Sequence, residues 1–253
     1  MNKILVVNNK LSNLYNDNLT IIDNHLIFNE NGDYNINYID CDNINLTIEV
    51  KPNVFVKLFE YSNNENIKVN NHYIINKDSN LLLFKFFNNK NTTERLIFDL
   101  NDENAKLNYH FSSIAINNDN YYVTINHNSS KTISNVINRS IAKDKAIIDF
   151  TIDSYLPKGK INCYLNQDTK IITLGDNNST IRPNMFIEEV DVEARHASAI
   201  GKFSDSELFY LMSRGITYND SLKLLIKGFI FANLIMNIET REKILNIINT
   251  NWR

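Results

Sequence analysis

Cysteine and histidine are scarce in this sequence of 253 residues, which contains two cysteines, Cys41 and Cys163, and five histidines. Two cysteines cannot form a disulfide framework, and no Cys/His spacing typical of a permanent metal site is present. No apolar run approaches the roughly 20 residues of a membrane span, and the first 15 residues lack the pattern of a signal or transit peptide. We therefore expect a cytoplasmic chain that has no membrane partner and no permanently bound metal.

An excess of one charge is also missing. The chain has 26 Lys and Arg against 29 Asp and Glu, giving a net charge of −3, and neither sign forms a long run. Such a balance lacks the basic footprint of a nucleic-acid-binding protein. The sequence contains no Gly-x-Ser-x-Gly nucleophile elbow and no glycine-rich phosphate loop. These absences argue against nucleic-acid partners and against the commonest hydrolase and nucleotide-binding sites.

Glycine (6) and proline (3) are rare, yet short alternating apolar segments fill the first 195 residues or so. Asn, Asp and Ser separate these segments, and Asn and Asp tolerate the left-handed backbone of tight turns. Asn-Gly and Asp-Gly hairpin turns are almost absent, which favours strands that wind over strands that reverse. We predict a mainly β fold, a right-handed parallel β-helix (single-stranded β-solenoid) over residues 1–200. A sandwich or barrel is the alternative.

The hydrophobic period changes after Gly201, so residues 201–253 are predicted to form a C-terminal helical segment. Ser204 and Glu207 have the spacing of a capping box, and Gly215 is placed to end the helix. Thr217 and Asp220 offer a second N-cap. The apolar stripe that follows predicts a helix reaching Met236, and a last helix carries apolar residues from 244 to 248.

An acidic stretch precedes this change of period, with carboxylates at Glu188, Glu189, Asp191 and Glu193. A carbohydrate-active β-helix enzyme would use clustered carboxylates to hold Ca²⁺. Strand alternation divides this stretch between two faces, which weakens the hypothesis without removing it. Glu193 should accordingly lie on the face opposite His196.

Several motifs in the second half of the chain resemble the SufB/SufD family, the paired β-helix proteins of Suf iron–sulfur cluster assembly. The most specific motif is His196-Ala197 followed by Gly201, "ELFYLMSRGI" (residues 207–216) and "KGFIFANL" (residues 227–234). Upstream similarities are "HNSSKTISN" (127–135), "AIIDF" (146–150), "LNQDTKIITL" (165–174) and "RPNMFI" (182–187). Residues 1–120 share only their β character with the family.

Two positions separate the branches of this family. SufB-like chains carry a sulfur-accepting cysteine where this sequence has Asp168 or Thr169, and Cys163 lies several residues too early. They also carry a glutamate where this sequence has Ala197. The chain therefore resembles the SufD branch. A divergent SufB or a self-pairing SufBD type remains the alternative.

The resemblance implies a scaffold subunit without catalytic activity. It implies pairing with SufB, or with a second copy, and docking of the SufC ATPase on residues 201–253. His196 becomes a candidate ligand of a nascent Fe–S cluster, held transiently and shared with the partner, because neutral imidazole binds iron. The partner-binding candidates are Phe209, Tyr210, Arg214 and Gly215. A simpler, structural interpretation also exists for these residues. His196 would fix the strand-to-helix corner by hydrogen bonding, and residues 208–212 would form a buried helix face.

Overall fold

The computed structural model describes residues 2–11 and 18–252, and in this part of the chain seventeen strands precede three helices. The strands are β1 (Asn2–Val7), β2 (Lys10–Leu11), β3 (Leu19–Ile22), β4 (His25–Phe28), β5 (Gly32–Ile39), β6 (Asn43–Val50), β7 (Phe55–Ser62), β8 (Asn66–Ile75), β9 (Asn80–Phe87), β10 (Asn91–Leu100), β11 (Lys106–Ala115), β12 (Asn118–His127), β13 (Ile133–Ala142), β14 (Ile147–Leu156), β15 (Cys163–Thr173), β16 (Thr180–Ile187) and β17 (Val192–Gly201). The helices are α1 (Asp205–Ser213), α2 (Tyr218–Phe231) and α3 (Ile238–Asn251).

Successive strands alternate between two sheets. Among the described residues, one sheet has the order β17-β15-β13-β11-β9-β7-β5-β1-β2 and the other β16-β14-β12-β10-β8-β6-β4-β3. From β5 onward neighbours in each sheet are parallel, and β1 and β4 join the same parallel stacks. Each coil thus adds one strand to each sheet, so the predicted parallel β-helix is confirmed.

Asparagine and aspartate make the corners of the coils, as predicted. Nine of the ten non-glycine residues with positive φ in the described chain are Asn or Asp, and the tenth is Lys131. These side chains reach the left-handed region at lower cost than other residues and bond to nearby backbone. The coil can therefore turn repeatedly with few glycines.

The helical segment covers the outer face of the odd-numbered sheet. Apolar side chains of α2 and α3, including Ile226, Ile230, Ile244 and Ile248, pack on strand residues of that face such as Phe84. Asn233, between these helices, donates to the carbonyls of Phe111 (2.9 Å) and Ile137 (3.2 Å). The coil interior covers one face of β9 and the helices cover the other, so residues 83–87 of β9 are all buried. Strands covered on one face only show alternating buried and accessible residues.

The predicted helix ends are confirmed, with one exception. Ser204 and Glu207 form a capping box, Thr217 caps α2 by accepting from the Asp220 amide, and Gly215 has a φ of +84°. The prediction that this helix reaches Met236 is wrong, because α2 ends at Phe231 and the chain turns before α3. None of the three helices that the structure describes has the length and apolar character of a membrane span.

The last coil differs from the coils before it. Strands β14 and β15 bury alternate residues, whereas no residue of β16 or β17 is buried. In their sheets, β16 and β17 each have a strand neighbour on one side only. The end of the coil formed by β16 and β17 is therefore an open edge whose inward-facing side chains lie uncovered.

Candidate functional site

His196 lies at this open end, on the row of β17 side chains that continues the interior of the coil. Its register partner on β15 is Gln167, which is buried. The same row of β17 carries Val192, Ala194, Ser198 and Ile200, each above an inward-facing residue of β15. The imidazole is exposed because no further coil covers it. Among the residues described, none forms a hydrogen bond with it.

Glu193 occupies the outer row of β17, as strand alternation predicted. It forms an ion pair with Arg195, and both side chains are largely exposed. Exposed pairs of this kind contribute at most about 1 kcal/mol to stability. The prediction that alternation divides the whole acidic stretch between two strand faces is wrong, because Glu188, Glu189 and Asp191 lie in the turn between β16 and β17.

Directly beneath His196, the Gln167 side chain spans the interior between the two sheets. Its Nε2 donates to Ser154 Oγ (2.8 Å) on β14 and to the Asn184 carbonyl (3.2 Å) on β16. Its Oε1 is buried and has no hydrogen-bond partner among the described residues. The floor under the imidazole is therefore polar, and one acceptor in it is unused.

Metal binding at this end requires ligands from outside the described residues. No group of three or more His, Cys, Asp or Glu side chains in the described part of the chain could hold a metal ion. His196 can supply one nitrogen ligand. An iron site here would need the remaining ligands from a second molecule or from the cluster itself.

The second histidine motif is internal. His127 is completely buried, and its ring nitrogens lie 2.7 Å from Thr132 Oγ1 and 2.9 Å from Ser134 Oγ. Burial lowers the pKa of His127 to about 4, so the ring is neutral at neutral pH. The stretch 127–135 is thus a structural hydrogen-bond network within the coil.

Cys163 belongs to the same network. Its Sγ lies 3.2 Å from Thr132 Oγ1 and 3.4 Å from the Ser129 carbonyl. Thr132 Oγ1 also donates to that carbonyl at 3.0 Å. Cys163 is thus a buried member of the hydrogen-bond network around His127.

The partner-binding candidates lie on α1 and at its end. Phe209 is 74% exposed and Tyr210 is also exposed. The Arg214 guanidinium lies 5.3 Å from the centre of the Tyr210 ring, and Gly215 ends the helix in the left-handed conformation. No α1 residue is buried, and the helix packs against α2. The interpretation of residues 208–212 as a buried helix face is therefore wrong.

A buried ionic cluster in the middle coils was missed by sequence reasoning. Lys85 Nζ lies 3.0 Å from Glu60 Oε2 and 2.5 Å from Glu94 Oε1, and all three side chains are fully buried. Tyr38 and Tyr73 donate to the Glu60 carboxylate at 2.9 and 2.6 Å. The one available signal was the lysine inside the apolar run "NLLLFKFF" (residues 80–87).

Charge in this cluster is not balanced. Burial alone would lower the pKa of Lys85, but its two carboxylate neighbours outweigh that effect and raise it. Burial raises the pKa of Glu94, whose Oε2 has no partner among the described residues. One coil further on, burial raises the pKa of Asp119 to about 7. Among the described residues, the interior of these coils thus holds three carboxyl groups and one lysine.

The fold and the exposed imidazole together define the class of the protein, a parallel β-helix with an open last coil and a helical segment packed on one of its two sheets. Residues 16–229 match the family model described as "SUF system FeS cluster assembly, SufBD core domain". Since this match covers most of the chain, the chain belongs to the SufBD family of iron–sulfur cluster assembly proteins. Proteins of this family are scaffold-type components of the assembly.

Individual relatives share shorter segments. The chain is 27% identical over 113 residues to the iron–sulfur cluster assembly protein SufD of Bacillus subtilis, covering 44% of this chain and 26% of that protein. It is 31% identical over 111 residues to a SufBD family protein of Staphylococcus saprophyticus, covering 41% and 23%. It is 44% identical over 70 residues to a SufBD family protein of Mycobacterium leprae, covering 26% and 18%. The matches span about a quarter or less of the length of these relatives.

Proposed function

We propose that this chain is a SufD-like, non-catalytic scaffold subunit that pairs with a SufB-type chain and docks a SufC-type ATPase. A nascent Fe–S cluster is its cargo, held transiently between the paired chains. The observation that carries the proposal is the open last coil, which places His196 on an uncovered interior row. Membership of the SufBD family favours this function over the carbohydrate-active alternative.

Pairing through the open end has a physical reason. Edge strands present unpaired backbone groups, and native proteins usually cover or charge such edges. Here the edge also carries exposed apolar side chains at Val190, in the turn between β16 and β17, and at Ile200. A second chain laid against β16 and β17 would satisfy the backbone and bury these side chains. His196 would then lie at the junction of the two molecules, where a shared ligand is useful.

The branch assignment is supported by the residues at the SufB cysteine position. Asp168 is held by Arg139 through two hydrogen bonds of 3.0 and 2.7 Å. Thr169 is buried and accepts from Asn138. Neither position supplies a thiol, as a sulfur-accepting SufB chain would. Pairing with a SufB-type chain and self-pairing as a SufBD type are distinguished by the state of the chain alone. A self-pairing chain dimerises when no other family member is present.

Docking of the ATPase is proposed to use α1. Exposed aromatic side chains beside an arginine are typical of binding hot spots. We expect Phe209→Asp to weaken binding to a SufC-type ATPase at least about tenfold, which corresponds to about 1.4 kcal/mol. Ile238→Asp is the matched control, because Ile238 is 78% exposed at the start of α3. Isothermal titration that gave both variants wild-type affinity would contradict docking on α1.

Substituting His196 tests the proposed ligand role. Because the ring is exposed and belongs to neither the buried coil interior nor α1, His196→Ala should leave the fold and ATPase binding intact. In the paired complex we expect cluster formation, followed by its visible absorption, to fall about tenfold or more. Wild-type cluster formation by this variant would reduce His196 to a residue of the coil edge.

A further inference from the structure

We propose that Gln167 is a positioning residue for His196: its Oε1 accepts a hydrogen bond from one ring N–H and leaves the other ring nitrogen free to face the open end. This inference rests on the proposed function in one respect only, that the free nitrogen binds the nascent cluster. The hydrogen bond itself is a property of this chain and can be measured without a partner or a cluster.

The Gln167 amide has a fixed orientation. Nε2 donates to the Asn184 carbonyl at 3.2 Å and to Ser154 Oγ at 2.8 Å. A carbonyl oxygen can only accept, so exchanging the amide oxygen and nitrogen would place two acceptors against each other. Both amide protons are thereby used, and Oε1 is the atom left over. It is an acceptor whose direction is set before any donor arrives.

This acceptor needs a donor. Oε1 is buried and has no partner among the described residues, and a buried polar atom without a hydrogen bond costs about 1–3 kcal/mol. His196 is the register partner of Gln167 on the next strand, and both side chains belong to the interior row. Its exposed ring has no other hydrogen bond in the described structure, so rotation of the ring toward the floor sacrifices no contact.

The hydrogen bond to Gln167 would favour one tautomer of the His196 ring. A neutral imidazole carries one N–H and one bare nitrogen, and the hydrogen bond made by the first determines which nitrogen is available to a metal. With its N–H held by Gln167, the ring would present its bare nitrogen outward. Histidines that bind metals commonly have such a second partner, and this one would come from within the same coil.

Nuclear magnetic resonance of the full chain labelled with ¹⁵N-histidine tests this directly. Long-range ¹H–¹⁵N spectra at about pH 8 report the tautomer of each neutral ring, and His196→Ala identifies the His196 signals. We expect the ratio of His196 tautomers to change about tenfold between wild type and Gln167→Leu, the factor equivalent to a net hydrogen bond of about 1.4 kcal/mol. Identical His196 shifts in the two proteins would overturn the inference.

Two further variants exclude a merely structural effect. Gln167→Glu should keep the wild-type tautomer, because a carboxyl oxygen at this position still accepts a hydrogen bond from the ring N–H. Asn138→Leu removes another buried amide, two strands below β17 in the same sheet, and should leave His196 unchanged. A shift of the His196 signals in Asn138→Leu equal to that in Gln167→Leu would contradict a specific role.

If Gln167→Leu does not fold, Ser154→Ala answers the same question, since it removes one of the two bonds that orient the amide. A weaker tautomer preference is then expected, and an unchanged preference counts against the proposal. Failure here is distinct from failure of the proposed function. If His196→Ala loses cluster formation but Gln167→Leu leaves the His196 tautomers unchanged, only the role of Gln167 is removed. If Gln167→Leu changes the tautomers but His196→Ala forms the cluster normally, only the cluster role of His196 is removed.

Discussion

Lys85→Met is expected to lower the free energy of unfolding by about 3–5 kcal/mol near pH 8, because it leaves Glu60 and Glu94 buried without their shared cation. Glu60 keeps the hydroxyl donors of Tyr38 and Tyr73, but Glu94 keeps no partner in the described structure. Denaturant unfolding followed by circular dichroism measures the loss. The loss should shrink as the pH falls, since the raised pKa of Glu94 lets that carboxyl become neutral.

Two controls accompany this variant. Lys170→Met removes an exposed lysine on β15 and should change stability by no more than about 0.5 kcal/mol. Adding Glu94→Gln to Lys85→Met removes the stranded carboxylate and should recover part of the loss, so the two substitutions are non-additive. A loss below about 1 kcal/mol for Lys85→Met, or strict additivity in the double variant, would contradict a buried ionic cluster.

Asp119→Asn is expected to remove a large pH dependence of stability. The unfolded pKa of Asp is about 3.9, whereas burial raises the folded pKa of Asp119 to about 7. Between these values the folded chain holds a proton that the unfolded chain has lost, so the stability contributed by this group falls as the pH rises. From about pH 5 to about pH 8 the asparagine variant should gain about 3 kcal/mol relative to wild type.

The comparison with wild type matters because another buried group acts in the opposite direction. Burial lowers the pKa of His127 to about 4, so its contribution is lost as the pH falls below the unfolded value of about 6.5. That contribution is present in both proteins and cancels in the difference. A stability difference between Asp119→Asn and wild type that stays constant from about pH 5 to about pH 8 would show that Asp119 is ionised throughout.

Local rules predicted much of the fold because they act within a few residues. Asparagine and aspartate at the corners, the Ser204–Glu207 capping box and the glycine at 215 each determine backbone conformation locally. Alternation also placed Glu193 and His196 on opposite faces of β17. What alternation could not show is that β17 is the last strand of its sheet in the described structure, so that its inward row is exposed.

Features that depend on contacts between distant elements were beyond the sequence. Lys85 reads as an interruption of an apolar strand until β7 and β10 bring Glu60 and Glu94 to it. Likewise, α1 has the apolar spacing of a buried helix, but α2 and α3 occupy the sheet face instead. Gln167 could be singled out only once β14 and β16 had supplied its two acceptors.

Pairing of the open coil end with a SufB-type chain is tested most directly by native mass spectrometry of the co-expressed proteins. Ile200 lies on the uncovered inner row of β17 and is 46% exposed, while Ile97, on the other sheet away from this end, is 43% exposed. A charge buried at an interface costs several kcal/mol. We predict that Ile200→Asp abolishes the two-chain complex and that Ile97→Asp leaves it intact, with both variants folded. A stable complex formed by Ile200→Asp at wild-type yield would contradict pairing through β16 and β17.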